Sequence, residues 1–206
     1  MPISRLEAPL KPDEISAVGP VIAHCESLLA SGKGQQAIDL LEEMLRNQPD
    51  LRAARAALGT AYASFGRLDA ALEQWQAVAD RFPGDAEAHH NLGSLYLRQG
   101  RPDLSIGEMN KAIKIDCNYV PAYLGLGAIL ARQGQYEKAT TYYELALQIE
   151  PKSPEAHLDF ALILMEMGRK GDALAELQAC LAADPCPETR KEAGQLETKL
   201  TKRGWF

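Results

Sequence analysis

An excess of positive charge, long apolar runs and paired cysteines are all missing from this chain of 206 residues. Lys and Arg number 22 against 28 Asp and Glu, a net charge of −6, which argues against nucleic acid because phosphate backbones select basic surfaces. No stretch of about eighteen consecutive apolar residues occurs, so no membrane-spanning helix is expected. The opening segment MPISRLEAPLKPDE lacks the apolar centre of a secretory signal, and a cytoplasmic location is the expectation. Aromatic residues are scarce at 6%, but 46% hydrophobic and 24% charged residues is ordinary for a folded globular chain. Cys25, Cys117, Cys180 and Cys186 form no CxxC pair. A chain of this length with a good apolar core needs no disulfide, so free thiols are expected. No HExxH, GxSxG or glycine-rich phosphate loop is present, nor a catalytic pair of carboxylates. Neither catalysis nor a cofactor is expected.

What is present is a period. Gly32, Gly66, Gly100, Gly134 and Gly168 are spaced by 34 residues. Pro49, Pro83, Pro151 and Pro185 keep the same interval, with Cys117 where the missing proline would fall. A fixed interval of this length marks a solenoid in which each unit repeats one backbone turn. The units are residues 18–51, 52–85, 86–119, 120–153 and 154–187. In the second, Leu58, Tyr62 and Phe65 precede the glycine, and Leu68, Ala71, Leu72, Trp75 and Val78 follow it. That rhythm predicts two amphipathic helices per unit, each too short to stand alone. Glycine ends the first helix by permitting a positive φ. Asp69, Pro102–Asp103, Glu137 and Asp172 suit the first turn of the second, and the proline ends it.

These units resemble tetratricopeptide (TPR) repeats. The fourth fits throughout, with Tyr123, Leu126, Gly127, Leu130, Ala139, Tyr143, Ala146 and Pro151. The second carries Leu58, Gly59, Tyr62, Ala71, Trp75, Val78 and Pro83 but has Arg55 at the fourth position. The third matches at Leu92, Gly93, Tyr96, Ser105, Met109 and Ala112 and departs at Cys117. The fifth is looser, with Phe160, Ala161, Leu164, Ala173, Leu177, Cys180 and Pro185. The first is loosest, with His24 and Cys25 in place of Leu–Gly. The resemblance implies an all-α right-handed superhelix of helix–turn–helix hairpins. Residues 188–206 are expected to add a capping helix, with Ala193, Leu196 and Leu200 on one face, and an aromatic tail, Trp205–Phe206. Residues 1–17 are expected to form a flexible extension.

The repeat absorbs most histidines. His24 replaces a core leucine, and His89 and His157 take the large-residue fourth position. His90 is left to face the groove. Adjacent residues on a helix point about 100° apart, so His89 and His90 do not share a metal, and none is expected. In the TPR family the concave groove is lined by the first helices of the units. Carried over, this implies a ligand surface at Ala57 and Thr60, then His90, Asn91, Ser94 and Arg98, then Leu124, Ala128 and Arg132, then Leu158, Asp159 and Leu162. Small residues, Gly125 among them, leave space; Asn91 is placed to hold a peptide backbone; the two arginines are placed to pair a carboxylate. The carboxylate clamp of chaperone-binding TPR domains is not expected, because Asn91 matches one element while Ala56, Thr60, Pro121 and Gly125 occupy the others. A scaffold that binds a peptide or protein segment is the leading expectation. Alternatives are an assembly or secretion chaperone that shields an apolar client, and the regulatory subunit of an enzyme. Self-association through the end repeats or the Trp205–Phe206 tail is a further one.

Overall fold

The structure, a computed structural model, describes the backbone of residues 12–202 and side chains over 18–201. Trp205 and Phe206 lie outside the described residues, as do the first eleven residues of the expected extension. Among the described residues eleven helices follow in order: α1 Pro12–Ala30, α2 Gly34–Asn47, α3 Arg52–Ser64, α4 Leu68–Arg81, α5 Ala86–Arg98, α6 Pro102–Ile115, α7 Val120–Arg132, α8 Tyr136–Ile149, α9 Pro154–Glu166, α10 Lys170–Ala182 and α11 Pro187–Lys202. They fall into two compact units, α1–α4 and α5–α11, divided between residues 83 and 84. The first helix differs from the sequence reading: α1 opens at Pro12 and continues through Pro20, so residues 12–17 are helical. Proline suits a first helical position because its missing N–H would be unpaired there anyway.

Each hairpin closes through the same local bonds. Gly32, Gly66, Gly100, Gly134 and Gly168 have φ between 72° and 76°. In the fourth unit the Gln135 N–H donates to the Leu130 carbonyl at 2.9 Å and the Gly134 N–H to the Ala131 carbonyl at 2.9 Å. The same pair of bonds recurs after α1, α3, α5 and α9. This pattern satisfies carbonyls that a helix end leaves open and requires a left-handed residue at its centre.

Close approach within a hairpin comes from a second glycine. A Cβ on Gly59 would lie 2.6 Å from Trp75 Nε1, and one on Gly127 would lie 2.9 Å from Tyr143 Cζ. Trp75 and Tyr143 are both 2% exposed, so those rings fill the space a side chain would take. Ala37, Ala71, Ala139 and Ala173 at the matching positions of the second helices are fully buried. Ser105 stands in that place in α6, equally buried, and its Oγ has no hydrogen-bond partner among the described residues.

In the first of the two compact units, Leu58 packs with Ile38 and Leu41 of the hairpin before it. In the second, Leu126 meets Met109 and Ala112, and the Phe160 ring stacks on Tyr143 at 6.2 Å. The position that His24 occupies is therefore buried only where a preceding hairpin exists. No hairpin precedes α1–α2 among the described residues, and His24 is exposed, not core. Cys25 beside it is fully buried in the first cluster. Cys180 is buried too, whereas Cys117 and Cys186 are exposed, and all four are free thiols.

Successive hairpins are also tied by a hydrogen bond that the sequence did not advertise. In the second, fourth and fifth repeats the side chain at the fourth position reaches the carbonyl of the thirty-second residue of the repeat before it. Arg55 Nε donates to Pro49 O at 2.9 Å. Tyr123 Oη donates to Cys117 O at 2.9 Å, and His157 Nε2 stands 3.1 Å from Pro151 O. Arg190 of α11 reaches Pro185 O at 3.4 Å. Arg, Tyr and His share little except a long arm with a donor at its end, which is what this position uses.

Candidate functional site

In the second of the two compact units α5 packs beside α7, α7 beside α9, and α9 beside α11. The first helices of the hairpins thus form one face. His90, Asn91, Ser94 and Arg98 come from α5, Leu124, Ala128 and Arg132 from α7, and Asp159 and Leu162 from α9. Ala57 and Thr60 sit on α3 in the first compact unit, where Ala57 rests against the core around Leu58 and Thr60 is exposed.

Three residues behave differently from the sequence reading. Leu158 is buried, not available to a ligand: it packs with Ala161, Leu177, Cys180 and Ala193 because α11 lies over it. Its exposure is 7%. Gly125 does not open a void; Met109 Cε would stand 2.8 Å from a Cβ placed there, so the methionine fills the gap. The Asn91 amide is turned back on its own helix, Nδ2 donating to Glu87 O at 2.9 Å.

His90 is half-buried with its ring edge-on to Tyr119, centroids 5.6 Å apart. Burial lowers its pKa against the opposing pull of Glu87, which favours a neutral imidazole on this face. Ser94, Leu124, Ala128 and Leu162 are half-buried, and Arg98 and Arg132 stand at the C-terminal ends of their helices with their side chains partly open to water. A cation at a helix C-terminus is favourably placed against the helix dipole.

Asp159 is the most perturbed group of the face. Burial pushes its carboxyl up to about 6, and the charges of Glu192 and Glu155 push in the same direction. Glu155 is one turn back along α9, and Glu192 belongs to α11. The spacing of Glu155 and Asp159 is legible in sequence. Glu192 joins them only through the register of α11, which sequence reasoning does not supply.

Two of the remaining histidines are structural. His89 Nδ1 is 2.7 Å from Glu108 Oε2, and His157 Nδ1 is 2.7 Å from Glu176 Oε2. Each pair joins the two helices of one hairpin. Among the described residues no group of three or more His, Cys, Asp or Glu side chains is arranged to hold a metal ion, and no helix is long and apolar enough to cross a membrane. The chemistry this face offers is apolar contact, hydrogen bonding and charge pairing.

Comparison with known proteins agrees with this architecture. Three family models described as tetratricopeptide repeat match residues 28–80, 56–121 and 126–200. No curated protein matches the chain in sequence. Among solved structures, it is similar to a thermophilic TPR protein of Thermus thermophilus, TTC0263, at 24% identity with a TM-score of 0.75, covering 86% of this chain and 97% of that one. It is also similar to PilW, a type IV pilus biogenesis factor, at 24% identity and TM-score 0.72 over 88% of this chain and 84% of that one. A third, YrrB, described as a TPR protein with an unusual peptide-binding site, shares 16% identity at TM-score 0.56, over 85% of this chain and 91% of that one. Hairpins closed on left-handed glycines, aromatic rings seated on glycines and matches along residues 28–200 lead to one conclusion: the chain belongs to the tetratricopeptide repeat family.

Proposed function

We propose that the chain is a protein-interaction scaffold that holds a peptide or protein segment on the face made by α5, α7 and α9. The observation that carries this reading is the exposure pattern of that face. Leu124, Ala128 and Leu162 are only half-buried, although their helices pack on one another, and Ser94, Arg98 and Arg132 offer polar groups alongside. An apolar strip with flanking hydrogen-bonding and charged groups suits a segment that alternates the same features. The TPR family membership and the peptide-binding description of YrrB support the reading.

The test is a selection of random twelve-residue peptides displayed on phage against the full chain, followed by binding of the synthesised winners to Ala128→Arg. A long charged side chain at Ala128 obstructs the strip, and circular dichroism checks that the variant is folded. Winners that lose binding to Ala128→Arg support the site; winners indifferent to it remove the site from consideration. The apolar residues Leu124, Ala128 and Leu162 also favour a second reading, in which the ligand is an apolar client segment shielded during assembly. Peptides selected purely for apolar content would favour that one.

A further inference from the structure

Among the described residues Asp159 is a carboxylate without a hydrogen bond or ion pair. It stands on α9 one turn after Glu155 and one turn before Leu162, and the neighbouring α11 brings Glu192 into its field. Other acidic groups of this unit that are withdrawn from water are paired: Glu108 accepts from Lys111 and meets His89, and Glu176 meets His157. Burial and two like charges push the Asp159 carboxyl up to about 6, so at neutral pH the chain holds a charge there at a net cost. Groups held at such a cost are found preferentially where a ligand supplies the missing interaction.

Beside Asp159 the face is apolar and, among the described residues, only partly covered. Leu162 and Met165 continue along α9, and Ala128 and Ala131 lie on the adjacent α7, all half-buried. We propose that this end of the face takes a partner segment carrying a lysine or arginine beside apolar side chains, the cation pairing with Asp159 and the apolar groups covering Leu162 and Met165. The inference rests on the scaffold reading above and names the partner's chemistry. A cation is the one occupant that relieves all three carboxylates together. An acidic segment would add a fourth like charge, and a purely apolar one would strip water from Asp159 without replacing it.

The same displayed library supplies the test. Peptides that bind the full chain and fail on Ala128→Arg are sequenced, and the tightest is synthesised with its basic residue intact and with norleucine in that place. Expected is a Lys or Arg next to apolar residues in the winners, at least tenfold weaker binding of the norleucine peptide, and a matching loss for the intact peptide on Asp159→Asn. The norleucine peptide should bind wild type and Asp159→Asn alike. Glu188→Gln, which removes an exposed charge at the start of α11, should leave affinity within twofold. Winners that depend on Ala128 but lack a basic residue, or that bind Asp159→Asn undiminished, overturn this inference and leave the scaffold reading standing. Winners indifferent to Ala128→Arg overturn both.

Discussion

His157 and Glu176 meet at 2.7 Å across the two helices of the last hairpin, and the other nitrogen of the same ring lies 3.1 Å from the Pro151 carbonyl. One side chain thus ties α9 both to α10 and to the end of the preceding hairpin. His157→Ala should destabilise the protein by about 1–3 kcal/mol, since it removes the side chain that a carbonyl and a carboxylate both contact. Thermal unfolding measures this. A double-mutant cycle with Glu176→Ala should return a coupling of about 1 kcal/mol, and strict additivity of the two substitutions would show that the pair is not an interacting one.

Ser105 gives a prediction of opposite sign. Its hydroxyl is fully buried and lacks a partner among the described residues, while the equivalent positions hold alanine in the other four units. Ser105→Ala should stabilise the chain by about 1 kcal/mol, because it removes an unsatisfied polar group and leaves no cavity larger than an oxygen atom. Urea denaturation reads the change; a loss of stability would mean that the hydroxyl is satisfied in solution.

The same glycine that ends each first helix should resist substitution. Gly134→Ala places a Cβ on a residue with φ of 73°, at a cost of about 1–2 kcal/mol. Nothing stands within 4 Å of that Cβ, so backbone strain alone sets the cost. Gly127→Ala tests a different quantity: there the φ is ordinary but the Tyr143 ring is 2.9 Å away, and overpacking should cost about 1–3 kcal/mol. Comparing the two melts separates strain from crowding.

Asp159→Asn should raise stability at neutral pH. A carboxyl pushed up to about 6 in the fold, from an ordinary value of 3.8, favours its protonated form when folded. Its contribution is fully present below 3.8 and is lost as the pH rises to about 6. Above that the charged group opposes folding, by about 1 kcal/mol once screening by the water that still reaches it is allowed for. The gain from Asp159→Asn should therefore be present at pH 7 and disappear by about pH 3.5. Melting curves of both proteins across that range supply the check, and a gain independent of pH would assign the effect to packing instead.

The hairpins were legible in the sequence because their two signals are local. A left-handed glycine and a four-residue apolar rhythm act within one turn of chain, so Gly134 and the stripe around Tyr143 can be placed from local sequence. Leu158 could not. Its position is half-exposed in α5 and α7, where His90 and Leu124 occupy it, and buried in α9 only because α11 lies across it. That helix carries a shifted register after Pro187, so the contact is non-local. The tethers of Arg55, Tyr123 and His157 were missed for another reason. What repeats is a donor at the end of a long side chain, not a residue type. Asn91 looked like a ligand hook until its amide was found donating to Glu87.

The bond from Tyr123 to Cys117 and the bond from His157 to Pro151 span the same six residues and join equivalent points of successive hairpins. The chain length is therefore quantised. Excising residues 120–153 would bring Pro154 up to Tyr119, set His157 opposite the Cys117 carbonyl where Tyr123 had been, and leave each surviving turn intact. Losing a single residue from a helix would instead rotate everything beyond it by roughly 100° and turn its buried stripe toward water. A molecule built in this way can lengthen or shorten by whole hairpins, adding or removing binding surface in fixed increments, while smaller insertions and deletions are tolerated only in its loops.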